Sequence, residues 1–145
     1  VMSAGTGIYH SEYNKYKDRK GKFLQIWLFP NKKNVKPRYD QISIRDVEKE
    51  NELYQVLSPH TDDQGVWIHQ NAWFHLGKFS KKKELTYDLK DKSNGVYAFL
   101  IGGTATIEGQ PLEKRDGYGV WNTEKLKIET EAGTQLLLME VPMKI

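Results

Sequence analysis

His10 and Glu12 are the residues whose types and spacing could do chemistry in this chain. They stand two apart in Val1-Met-Ser-Ala-Gly-Thr-Gly-Ile-Tyr-His10-Ser-Glu12-Tyr-Asn14, a stretch that reads as extended. Alternate side chains leave a strand on the same face, so the imidazole and the carboxylate would project side by side. An imidazole nitrogen beside a carboxylate oxygen makes half of a transition-metal site. The other half is not in this chain, and the sequence reads as the second portion of a longer protein. By spacing alone, a His-x-Glu on a strand is more often a surface pair than a site.

The remaining histidines carry less. His69 and His75 lie six apart in the Val66–Phe79 segment and share a face with Trp67, Asn71 and Trp73 if the strand is unbroken. No carboxylate accompanies them at strand spacing, so they are expected to be satisfied or solvent-facing. His60, beside Thr61-Asp62-Asp63, is expected to stabilise a turn. The four tryptophans, Trp27, Trp67, Trp73 and Trp121, fall on expected strands and read as core or edge aromatics. Phosphate loops, nucleophile elbows and zinc motifs are absent from the sequence.

The elements that must position these residues are strands. A length of 145 residues, 28% charged and 38% hydrophobic, suits one folded domain with a real core. No apolar run reaches the roughly 18 residues of a membrane span, and no membrane partner is expected. Cysteine is absent, which excludes disulfides and thiolate metal ligands and favours a reducing, cytoplasmic setting. The net charge is +3 and the pI about 8.9, but the lysines are scattered through turns, so a nucleic-acid partner is not expected.

Phe23–Phe29 is aromatic and aliphatic and is stopped by Pro30; Arg38–Ile44 and Leu53–Leu57 alternate. Further strands are expected at Gly65–Gln70, Ala72–Phe79, Glu84–Leu89, Thr104–Ile107, Gly119–Trp121, Leu126–Glu129 and Gln135–Val141. Val96–Ile101 is apolar on both faces, as in a central strand covered on each side. Only Ile44–Asn51 looks helical, and it is short. About ten short strands separated by turn signals make an all-β sandwich or barrel.

Gly102 to Trp121 narrows the barrel type, because Gly109 permits the positive φ of one turn and Asp116-Gly117 sets up another. The pattern resembles the core of a cupin-type double-stranded β-helix, or jelly roll. Metal-binding cupins carry histidines around this element. Here the matching positions hold Tyr97, Phe99, Ile101, Glu108 and Trp121, so this barrel is expected to hold no metal and to be filled by apolar side chains such as Phe99, Ile101 and Leu136 to Leu138.

Two longer stretches also match a known pattern. Met2 to Asn14 resembles the end of the N-terminal cupin of the pirin family, closest to the bacterial quercetin 2,3-dioxygenase-type bicupins. Leu24-Gln-Ile-Trp27 with Pro30, then Pro37-Arg-Tyr-Asp-Gln41, resembles the opening of the second cupin of the same proteins. The resemblance implies residues 1–14 as a remnant of the N-terminal cupin carrying half a metal site, 15–21 as a linker, and 22–145 as a metal-free C-terminal cupin. It also implies that His10 and Glu12 are two of the family's four metal ligands, the others being an upstream His-x-His.

The same resemblance implies a function. The parent is expected to be a metal-dependent quercetin (flavonol) 2,3-dioxygenase using a divalent transition ion such as Fe, Ni, Cu or Mn. Its partner would be a flavonol-like small molecule, with Glu12 as ligand and as the base that takes the hydroxyl proton. The 145-residue chain is expected to bind no metal and to be inactive without the N-terminal cupin. A non-enzymatic pirin-like binding or regulatory protein is the alternative. Residues 1–14, lacking their sheet, are expected to pair with their own barrel, to drive self-association, or to be mobile.

Overall fold

The strand pattern of the second half of the sequence becomes two sheets around one core. A computed structural model describes residues 1–144. One six-stranded sheet is formed by β3 (Leu53–Ser58), β4 (Val66–Trp67), β5 (Trp73–Phe79), β7 (Asn94–Gly102), β10 (Gly117–Val120) and β12 (Thr134–Pro142), in the order β10-β7-β12-β5-β3-β4. A four-stranded sheet contains β6 (Lys83–Asp88), β8 (Ala105–Ile107), β9 (Gln110–Leu112) and β11 (Lys125–Thr130), in the order β6-β11-β8-β9. All pairs within them are antiparallel except β3 with β4. The fold is all-β, a jelly roll, as expected.

Period-two alternation decides what fills the interior. Ala98 and Leu100 of β7 and Leu136 and Leu138 of β12 face Ile107, Leu112, Leu126 and Ile128 of the other sheet, all buried. Phe99, Ile101 and Leu137 lie one residue out of phase and project from the opposite face of the six-stranded sheet. They join Leu57, Val66, Ala72 and Phe74 in a second apolar cluster. The interior is therefore not filled by Phe99, Ile101 and Leu137; they cover its outer side. Strand β7 is covered on its inner face and, at Phe99 and Ile101, partly covered on its outer face, where Tyr97 stays exposed.

The turns behave as the glycine positions suggested in one case and differ in the other. Ile107 and Gln110 are paired across a two-residue loop in which Glu108 (φ 50) and Gly109 (φ 79) both have positive φ, the turn that matches strand twist. Glu108 tolerates this because its backbone N–H donates to Lys127 O and its carboxylate accepts the Lys127 N–H. At the next turn the left-handed residue is Arg115 (φ 80), before Asp116-Gly117.

The first fifty residues form little regular structure. Strands β1 (Met2–Ser3) and β2 (Arg38–Tyr39) pair with each other. Phe23–Phe29 forms no strand, and Phe23, Trp27 and Phe29 are exposed. Strand propensity needs a partner edge to be realised, and this segment has none among the described residues. The expected helix at Ile44–Asn51 shrinks to one 3₁₀ turn, Ile44–Asp46, whose Ser43 makes no capping bond and which buries no residue.

Candidate functional site

His10 and Glu12 do come together. His10 Nε2 and Glu12 Oε1 are 3.9 Å apart, with side chains 43% and 54% exposed. The strand that should carry them is absent: regular pairing stops at Ser3, and Gly5 (φ 53) and Gly7 (φ 129) turn the chain away. An alanine at Gly5 would bring its Cβ onto the carbonyl of Val35, so this close approach requires glycine.

The start of the segment is held from both sides. The Val1 amino group donates to Asp40 O (2.7 Å), Asp40 N–H donates to Val1 O (2.9 Å), and Thr6 N–H donates to Val35 O (3.1 Å). The receiving strand is itself pinned by Arg38. Its guanidinium lies 3.8 Å from the centre of the Trp67 ring, donates to Trp67 O (2.8 Å), and pairs with Asp40 (3.1 Å). Residues 1–3 thus lie docked on this clamp.

The donor chemistry of the pair fits a divalent transition ion. Two neighbouring N or O donors, each about 2.1 Å from one ion, stand about 3.0–3.4 Å apart, so the pair at 3.9 Å would have to close by about 0.5 Å or more to share one. The pair is not a complete site: among the described residues no three His, Cys, Asp or Glu side chains converge.

The other histidines are separated by the fold. His69 and His75 do not share a strand, because β4 ends at Trp67 and runs parallel to β3 whereas β5 runs antiparallel to it. His69 sits edge-on to Trp67 (4.7 Å between centroids), and its carbonyl accepts the Asn31 N–H. His60 belongs to a turn in which Ser58 Oγ accepts its backbone N–H (3.1 Å), which agrees with the turn role. Asp62 and Asp63 bond instead to Thr61 and Gln55.

His75 departs furthest from expectation, being neither solvent-facing nor satisfied. It points into the barrel, is 7% exposed, and its Nδ1 is buried with no hydrogen-bond partner. Burial, reinforced by the Lys90 ammonium, pushes its pKa down to about 4, so the ring is neutral at pH 7. Tyr87 stands edge-on to it at 5.0 Å. The Tyr87 hydroxyl crosses between the sheets to donate to Glu140 (2.7 Å), and burial plus that bond hold the phenol far above its ordinary pKa. The Glu140 carboxylate is fully buried and also accepts from Lys90 N, Asp91 N and Asn94 Nδ2, each at 2.9 Å. Alternation on Ala72–Phe79 could have placed His75 inward with Gly77 and Phe79; that signal was in the sequence, whereas the register with Tyr87 was not.

The jelly-roll core also matches a family model, "Quercetinase C-terminal cupin domain", over residues 55–141. The chain belongs to the pirin family of quercetinase-type cupins. A quercetin 2,3-dioxygenase of Escherichia coli (strain K12) is 29% identical over 142 residues, covering 98% of this cupin chain and 60% of the relative. This pirin-family chain thus spans about 60% of the length of the curated relatives it matches. A crystal structure of YhhW from Escherichia coli superposes with a TM-score of 0.72 at 22% identity, over 80% of this chain and 48% of that one. Bacterial pirin YhhW in complex with nickel(II) gives 0.69 at 22% identity, over 78% and 47%. These two likenesses show the cupin fold.

Proposed function

We propose that this chain is the C-terminal cupin, with its adjoining segment, of a pirin-type protein that as a whole is a metal-dependent quercetin (flavonol) 2,3-dioxygenase. The carrying observation is that the quercetinase-type cupin match at 55–141 stands in one chain with the His10–Glu12 pair. On this reading residues 1–14 belong to an N-terminal cupin, 15–21 link, and 22–145 form a second cupin that holds no metal.

His10 and Glu12 would supply two donors to a divalent ion of the Fe, Ni, Cu or Mn class; the nickel(II) complex of a bacterial pirin with the same fold supports that class. When bound, such an ion acts as a Lewis acid toward the 3-hydroxyl of a flavonol that is to react with dioxygen. Glu12, half exposed and beside His10, would take the proton from that hydroxyl. Two donors in water cannot retain an ion as four can, so the 145-residue chain by itself should be inactive.

Quercetin turnover, followed by absorbance with added divalent metals, tests this. The full-length protein should turn over, the 145-residue chain should not, and His10→Ala in the full-length protein should cost more than about tenfold. Turnover unaffected by His10→Ala would defeat the site assignment. A full-length protein that binds metal without turnover would instead support the non-enzymatic binding or regulatory reading.

A further inference from the structure

A cleft of about 360 Å³ is lined in part by His75 and by neither His10 nor Glu12. Leu53 and Leu85 supply apolar walls, Tyr87 an aromatic edge, and Lys83 and Lys90 two cations at its lining. Of the carboxylates near it, Asp88 is paired with Lys125 (3.2 Å), and Glu140 is fully engaged by four donors. Glu52 remains at the lining.

Buried polar groups in folded proteins are paired, and an exception calls for a physical reason. The other buried polar side chains, Ser58, Asn94, Thr130, Thr134 and Glu140, each have a partner. His75 Nδ1 is the one buried side-chain polar atom without one among the described residues. A leucine at this inward position would fill the same space without that cost. The neutral ring keeps a single proton. A sealed, unpartnered Nδ1 is less costly as a bare lone pair than as an N–H, so the proton belongs on Nε2, which the ring can offer to a ligand.

We propose that the cleft lined by His75, Tyr87, Leu53, Leu85 and Lys90 is a second binding site, for a small monocyclic aromatic carboxylate. The carboxylate accepts from His75 Nε2–H and pairs with the Lys90 ammonium, while the ring lies between Leu53 and Leu85 against the edge of Tyr87. The volume is at the small end for ligand pockets and has room for one ring with its carboxylate. The site is independent of the dioxygenase reading, because it uses neither His10 nor Glu12 and needs no metal.

Titration of the 145-residue chain with benzoate, followed by the His75 ring resonances in ¹H–¹⁵N NMR and by calorimetry, tests the proposal. Saturable one-to-one binding is expected, with a dissociation constant on the order of 1 mM. Benzamide, isosteric but uncharged, should bind at least tenfold more weakly. His75→Phe should weaken benzoate at least tenfold, and so should Leu85→Trp, which fills the cleft from its half-buried rim and is the second variant if His75→Phe misfolds. Absence of saturable binding, equal binding of benzamide, or undiminished binding by folded Leu85→Trp would overturn the proposal and leave water as the occupant.

Discussion

At the scale of the residue, the fold treats two histidines in opposite ways. His10 stands half exposed beside the Glu12 carboxylate. His75 is shut inside a barrel, where a charge is poorly solvated, and its pKa falls from 6.5 to about 4. That shift fixes the sign of its effect on stability. Below pH 6.5 the unfolded chain takes up a proton that the folded chain refuses until about pH 4. The stabilisation is therefore complete above pH 6.5 and is lost as pH falls toward 4. The loss from this one group approaches about 3 kcal/mol. Urea unfolding at pH 7 and pH 4.5 measures it. The drop should be smaller by about 2 kcal/mol in His75→Phe, and an equal drop in both proteins would mean that His75 titrates normally.

At the scale of the element, Glu140 joins what the strand ladders do not. It sits on β12 in the six-stranded sheet, and its four donors come from Tyr87 of β6, the Lys90-Asp91 connection and Asn94 of β7. A carboxylate has about four lone-pair sites, and all are used. Removing the acceptor strands two buried donors, Tyr87 O–H and Asn94 Nδ2, and two part-buried backbone N–H groups. Glu140→Ala should cost about 3–5 kcal/mol, and Tyr87→Phe, which removes one donor to a charged group, about 1.5–3 kcal/mol. Equilibrium urea unfolding of both variants checks the order. A Glu140→Ala protein within about 1 kcal/mol of the parent would show that the sheets are joined by apolar packing alone.

At the scale of the whole molecule, every strand of the two main sheets lies between Leu53 and Pro142, and the earlier residues are attached to their outside. The attachments include the β1–β2 pair, the Val1–Asp40 bonds, the Arg38 clamp on Trp67, the Asn31 bond to His69 O, and Val1 and Leu28 against the outer apolar cluster. Deleting residues 1–14 removes one side of this seam and none of the interior. The truncated chain should keep its β-type far-UV circular dichroism and a cooperative thermal transition, and light scattering should show less of any dimer formed through the segment. Loss of the cooperative transition would make residues 1–14 an integral part of the barrel.

The sequence by itself determined the fold class, because alternation and glycine turns are local signals that survive from Leu53 to Pro142 whatever the partner strands are. It also carried the family, through Gly-Thr-Gly-Ile-Tyr-His-Ser-Glu and Leu-Gln-Ile-Trp, and with it the choice of His10 and Glu12. Tertiary structure decided which face of each strand became the interior, sending Leu136 and Leu138 inward and Phe99, Ile101 and Leu137 outward. It alone decided that Phe23–Phe29 stays unpaired, since a strand exists only where another edge meets it. And it alone brought His75 beside Tyr87 across two sheets, because which inward residues meet depends on register and sheet packing, and neither is written at any one position.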